Sequence, residues 1–165
     1  MMSIFWRIWA AFAIVLLVGA YVTINALQDQ VKPSVKQAIE DTLADNANLI
    51  SALVADDLKN QRLQTPEKKK KIAQILARPL RARIWERDKN SVSQQLYITD
   101  DQGIVLYDSQ GQATGQNYSQ WNDVYLTLQG RYGVRSTRSN PEDVNSSVMY
   151  VAAPIMDKQR IIGVV

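Results

Sequence analysis

The side chains best suited to ligand chemistry are two arginines and a group of aromatic residues. Arg81 and Arg135 can each bind a carboxylate or a phosphate through two parallel hydrogen bonds, because the guanidinium group is planar and always charged. Three aromatic side chains could form an amphipathic wall beside such a group, and a carboxylate could hold an amine or a hydroxyl. The sequence therefore offers six candidate ligand-binding residues: Arg81, Trp121, Asp123, Tyr125, Arg135 and Tyr150.

Each candidate also has a purely structural interpretation. Trp121 and Tyr150 are typical core residues, and Asp123 is typical of the acidic residues that favour the start of a helix. Either arginine could simply pair with a neighbouring carboxylate. Residue types alone leave both interpretations open.

The chain contains neither cysteine nor histidine. Disulfides, thiol nucleophiles and cysteine-ligated metal sites are therefore excluded, and so are Ser–His and Cys–His catalysis and the phosphoacceptor of a histidine kinase. The glycines do not form a phosphate-binding loop between a strand and a helix. We expect no catalytic residue, no cofactor and no metal ion in this chain.

The net charge of +3 comes from 19 basic and 16 acidic residues, and the basic residues are spread out except for a run at 68–71. A nucleic-acid surface would combine more basic residues with interleaved aromatic residues. The run is typical of a solvated helix face, so no nucleic-acid partner is expected.

An uncharged, apolar segment, 8–28, lies between Arg7 and Asp29. As a helix it would extend over about 31 Å, which matches the hydrocarbon core of a bilayer at about 30 Å. Aromatic residues near both ends are typical of the membrane interfaces, and the positive charges of Arg7 and of the terminal amine favour a cytoplasmic N-terminus. We therefore predict a cytoplasmic N-terminus (1–7), a transmembrane helix (8–28) and an extracytoplasmic domain (29–165).

Two helices are expected after the span. Apolar residues recur every three or four positions from Pro33 to about Lys59, which predicts a long amphipathic helix that continues from the span with a break near Pro33. Its apolar face could pack on a sheet or on a second copy of the chain. Pro66 predicts the start of a shorter helix that ends before Pro79.

The periodicity becomes that of strands from Leu96 onward. Residues 96–99 and 104–107 flank a short loop with a glycine, which predicts a β-hairpin. A short helix is expected at 121–128, with Ser119 or Asn122 as its cap. Three further strands are expected, the second with a bulge or edge near Pro154: 133–138, 147–155 and 160–165. This order predicts an α+β, PAS-like domain with one antiparallel sheet packed on the long helix.

Two stretches, NDVYLTLQGRYGVRST (122–137) and SSVMYVAAPIMD (146–157), resemble the sensor region of CreC-type two-component sensor histidine kinases. The similarity includes TDDQG (99–103), VKP (31–33) and RPLRA (78–82), so it covers nearly the whole chain. The lysine run and the segment after residue 84 match the family poorly.

The resemblance implies a periplasmic PDC or Cache-type sensor domain anchored in the bacterial inner membrane, a homodimer, and a small polar or anionic ligand held between the sheet and the elements over it. In such proteins a second span and a kinase follow, and a response regulator is reached only through that kinase. The final strand ends on apolar residues, so we expect it to be truncated, with the polypeptide continuing beyond Val165.

Two other functions are compatible with the sequence. Small residues at 18–20 resemble a signal-peptidase site, and cleavage there would release an exported soluble binding protein that begins at Tyr21. A Cache sensor could also serve a chemoreceptor, since fold does not determine output.

Overall fold

The structure is a computed structural model that describes residues 4–138, 140–143 and 146–165, without the side chains of 28–32. Residues 1–3 of the predicted cytoplasmic segment lie outside the described residues. The chain forms two compact units, Met1–Asp41 and Thr42–Val165. The site described below belongs to the second unit.

The first unit is helical and contains the predicted span. Helix α1 (Ile4–Lys59) begins here, and its segment Ile4–Leu27 is long and apolar enough to cross a membrane, with a mean hydropathy of 2.2. The helix continues through Pro33, so the predicted break there is wrong. Proline removes one backbone hydrogen bond, and the helical turns on both sides of Pro33 are retained despite that loss.

In the second unit, α1 buries a face with the predicted spacing, formed by Ala47, Ser51, Val54 and Leu58. The helix ends at Lys59 and is followed by a 3₁₀ turn (Arg62–Gln64) and by α2 (Pro66–Leu76). The Thr65 side chain caps α2 by accepting a hydrogen bond from the Lys68 N–H at 3.3 Å. Both predicted helices are therefore confirmed.

All strand pairs are antiparallel. The elements that follow α2 are β1 (Ala82–Ile84), β2 (Arg87–Lys89), β3 (Tyr97–Asp100), β4 (Val105–Asp108), α3 (Asn122–Leu128), β5 (Gly133–Arg138), β6 (Ser147–Ala152), β7 (Pro154–Asp157) and β8 (Arg160–Val164). Strands β4, β3, β8 and β7 form a four-stranded sheet in that order, while β5 pairs with β6 and β1 pairs with β2.

The predicted fourth strand, 147–155, is in fact two strands. Strand β6 pairs with β5, and β7 pairs with β8. The change of partner occurs at Ala153, which exchanges two backbone hydrogen bonds of 3.0 Å with Val165. A register shift between Ile155 and Met156 confirms the irregularity expected near Pro154. The described strands therefore form three sheets and not the single sheet predicted.

Hairpin β1–β2 was not predicted. Its strands have three residues each and are dominated by charged side chains, so they lack the apolar alternation that marks a half-buried strand. The predicted hairpin β3–β4 is confirmed. The core of the unit consists of one cluster under α1, around Leu63, Ile98 and Ile155, and a second around Val124 and Val164.

Candidate functional site

Helix α3 is attached to β5 by its first turn. Its cap is Trp121, which is in an extended conformation and makes no capping hydrogen bond through its side chain. The predicted caps, Ser119 and Asn122, are therefore wrong. The Asn122 side chain instead donates a hydrogen bond to the Val134 carbonyl oxygen at 3.1 Å, so it serves to join the helix to the strand.

Gly133 allows α3 to lie directly on the start of β5. A Cβ atom at this position would collide with the Asp123 carbonyl oxygen and the Thr127 hydroxyl. Only glycine accommodates so close a backbone approach. This contact brings Asp123, in the first turn of α3, next to Arg135, two residues into β5.

A buried hydrogen-bonded network joins Arg135, Asp123 and Tyr97. Arg135 Nε donates to Asp123 Oδ1 at 3.0 Å, and the Tyr97 hydroxyl donates to Asp123 Oδ2 at 2.5 Å. The Asp123 side chain is fully buried, and that of Arg135 is 17% exposed. A carboxylate in this position needs both donors, because water cannot solvate it.

The surroundings fix the protonation states of Arg135 and Tyr97. Burial lowers the pKa of Arg135, but the hydrogen bond and the charge of Asp123 outweigh that effect, so the pKa lies above its ordinary value. Burial, and then the negative charge of Asp123, raise the pKa of the Tyr97 hydroxyl. Tyr97 is therefore a neutral donor and Arg135 a cation at physiological pH.

The Arg135 guanidinium lies between two aromatic rings. Its Cζ atom is 4.0 Å from the ring centroid of Trp121 and 4.0 Å from that of Tyr150. Tyr150 is the direct partner of Arg135 in the β5–β6 register, which places its ring beside the guanidinium. Tyr118 stacks on Trp121 with a centroid distance of 3.6 Å. Each cation–π contact stabilises the buried positive charge.

We call Tyr97, Tyr118, Trp121, Asp123, Arg135 and Tyr150 the Arg135 cluster. The structure thus brings together four of the six candidates: Trp121, Asp123, Arg135 and Tyr150. Arg81 and Tyr125 are exposed and take no part in the hydrogen bonds or ring contacts described above. Tyr97 and Tyr118 were missed, because no local pattern in the sequence links either residue to Arg135.

The cluster retains unused donor capacity. Arg135 Nη2 is buried and makes no hydrogen bond within the described part of the chain, and the same is true of the Thr127 hydroxyl. The Arg135 Nε–H is already used by Asp123, so a further acceptor would have to bind the guanidinium through its Nη atoms. No group of three or more acidic residues suitable for a metal ion occurs among the described residues.

A groove of about 330 Å³ adjoins the cluster. Tyr97 and Tyr150 belong both to the cluster and to the groove wall. The remaining walls come from the second-unit part of α1, from residues 93–96, from β6 and from Val165. A groove of this size is within the range of small-molecule sites.

No protein-family model matches the chain. Over 163 residues it is 44% identical to Sensor protein CreC of Escherichia coli K12, a match that covers 99% of this chain and 34% of that protein. The chain therefore spans about a third of the length of this curated relative. The resemblance inferred from the sequence is confirmed.

The fold resembles the crystal structure of the V. cholerae histidine kinase DctB sensor domain. The TM-score is 0.57 at 16% identity, over 91% of this chain and 54% of the other. This likeness concerns the fold alone. It confirms the predicted α+β fold, in which helices pack on antiparallel strands.

Proposed function

We propose that this chain is the membrane-anchored sensing region of a two-component sensor histidine kinase. The observation that carries the proposal is the 44% identity to Sensor protein CreC along 99% of the chain. Because the chain has no histidine, it cannot supply the phosphoacceptor. In this proposal the kinase reaction and the response regulator belong to the part of such a protein that the chain does not include.

A chimaera tests this function. The chain replaces the matching region of Sensor protein CreC, and phosphorylation of the cognate response regulator is measured in cells under inducing and non-inducing growth. We expect regulated phosphorylation, as in the unmodified relative. A chimaera that is inserted in the membrane in normal amounts but has lost all regulation would contradict the proposal.

We further propose that the N-terminus is cytoplasmic and that the second unit lies in the periplasm, anchored in the inner membrane by Ile4–Leu27. The length and hydropathy of that segment support the anchor. Alkaline phosphatase fused after Lys59 should be active, and β-galactosidase fused at the same place should be inactive. The reverse pattern would reject this topology, and a mature N-terminus at Tyr21 would indicate a cleaved signal peptide.

The Arg135 cluster is our proposed binding site for a small anionic or polar ligand. Three features support it: the unpaired Arg135 Nη2, the aromatic walls of Trp121 and Tyr150, and the adjoining groove. A carboxylate or phosphate oxygen would accept a hydrogen bond from Nη2 while Nε stays with Asp123. Arg81 and Tyr125 are not needed for this mode of binding.

A thermal-shift screen of small carboxylates and phosphates on the full chain tests the site. We expect at least one compound to raise the melting temperature. Arg135→Lys should abolish that shift, because the lysine ammonium cannot bind a carboxylate or phosphate through two parallel hydrogen bonds. The matched control is Arg131→Lys, an exposed arginine outside the cluster. An equal shift in both variants would place the ligand elsewhere.

We also propose that the chain forms a homodimer through α1. Leu49 and Leu53 are 65% and 78% exposed, and they lie on a different face of the helix from the buried Ala47 and Val54. The helix therefore has one apolar face against the sheet and further apolar residues facing outward, which a second copy would cover. A ligand that binds one dimer arrangement better than another would shift their populations.

A further inference from the structure

The charge of the chain is concentrated in one segment, 66–89, which we call the basic arm. It comprises α2, the following loop and hairpin β1–β2. The basic arm contains nine basic and three acidic residues, a net charge of +6, although the whole chain carries only +3. The rest of the chain is therefore net negative. Among the described residues of the arm, Lys68 is the one that forms an ion pair, with Asp57.

Apolar side chains in the basic arm are also exposed. Trp85 is 94% exposed, Ile84 is 53% exposed and Ile75 is 61% exposed. Trp85 and its neighbour Glu86 form the two-residue turn of the hairpin. An almost fully exposed tryptophan contributes nothing to the packing of this domain, and large exposed apolar groups within a polar rim mark interaction surfaces.

The backbone at Trp85 is locally unfavourable. Its φ is 56°, in the left-handed region that two-residue turns normally fill with Asn or Gly. Arg81, just before β1, also has a positive φ of 46°. The hairpin thus presents a tryptophan at its tip despite a conformational cost and with no packing gain inside the chain. Such strain is typical of functional positions.

We propose that the basic arm is a docking surface for an acidic protein partner, with Trp85 at the centre of the contact. Tryptophan and arginine are the residue types that dominate binding energy in protein interfaces. The net charge of +6 selects an acidic surface by complementarity. Glu86 and Asp88 alternate with Arg87 and Lys89, which favours directional pairing with a structured protein over contact with a uniformly anionic lipid surface.

Site-specific photocrosslinking tests this proposal. Because the chain has no cysteine, Glu86→Cys in the full-length chain takes a single benzophenone label in native membranes. After irradiation we expect one predominant adduct, and mass spectrometry should identify it as a protein with an excess of Asp and Glu. The matched control is labelled Gln112→Cys, an exposed position outside the arm, which should not give this adduct.

Two variants test whether the crosslinked partner binds to the basic arm. Arg83→Glu combined with Arg87→Glu should reduce the adduct at least about tenfold, and Trp85→Ala should weaken binding by about 30-fold, as expected for a central interface residue. All three side chains are exposed, so melting temperatures should not change. Labelling of lipid alone, of a second copy or of nothing would overturn the proposal, as would an adduct insensitive to both variants.

Discussion

Removing Arg135 should destabilise the domain more than removing Asp123 does, although the two residues form one ion pair. Arg135→Ala leaves a fully buried carboxylate with a single donor, the Tyr97 hydroxyl. Asp123→Ala leaves a guanidinium that is 17% exposed and that still lies between two aromatic rings. The Asp123 carboxylate left without Arg135 is therefore less well stabilised than the Arg135 guanidinium left without Asp123.

The magnitudes follow from this difference. Removing one partner of a buried ion pair costs about 3–5 kcal/mol. We expect Arg135→Ala near the upper end, about 5 kcal/mol, because the ring contacts are lost as well. We expect Asp123→Ala to cost about 3 kcal/mol, because cation–π attraction continues to stabilise Arg135. The double variant leaves neither charge unpaired, so it should cost no more than Arg135→Ala, at most about 5 kcal/mol, which gives a coupling energy of at least about 3 kcal/mol.

The assay is urea unfolding of the full chain in detergent micelles, followed by the near-ultraviolet circular dichroism of the buried aromatic residues. Arg131→Ala, an exposed arginine, is the control and should change the free energy of unfolding by less than about 0.5 kcal/mol. If Asp123→Ala costs as much as Arg135→Ala, or if the two effects simply add, the reasoning about a buried and unequally solvated pair is refuted.

Three further predictions concern other parts of the chain. The hydrogen bond with Lys68 is the chief cause of the lowered pKa of Asp57, so the pair stabilises the fold above the ordinary pKa of 3.8 and this stabilisation is lost as the pH falls below that value. Asp57→Asn should therefore flatten the acid-unfolding curve measured below about pH 4, and an unchanged curve would contradict this. Gly133→Ala should cost at least about 3 kcal/mol of unfolding free energy, because the added Cβ atom would collide with α3. The control, Gly111→Ala, has no atom within 4 Å of the added Cβ and should cost about 1 kcal/mol for its positive φ alone. Equal losses of stability in thermal denaturation would reject the packing argument. Leu53→Cys should form a disulfide-linked dimer on oxidation in membranes, while the cysteine-free parent should not, and absence of that dimer would reject the α1 contact.

The helices, the apolar span and hairpin β3–β4 were predictable from the sequence because each depends on a local pattern. Apolar spacing of three and four residues identifies the face of α1, Pro66 marks the start of α2, and a glycine-containing loop between two β-rich runs defines the hairpin. The absence of histidine and cysteine excluded whole classes of chemistry without any structure. The resemblance to a sensor region was likewise a property of contiguous residues.

The Arg135 cluster was decided by tertiary structure. Arg135 meets Tyr150 through the β5–β6 register, Asp123 through the docking of α3 on Gly133, and Tyr97 from a strand of another sheet. Residue types suggested some of these members, but nothing local distinguished them from the exposed Arg81 and Tyr125. Tertiary structure also determines the division of the predicted fourth strand at Ala153. A change of pairing partner hardly alters the alternation of apolar and polar residues along a strand, so the sequence does not reveal it. Contacts between residues far apart in the chain are selected by packing and burial of the whole domain, which local periodicity does not encode.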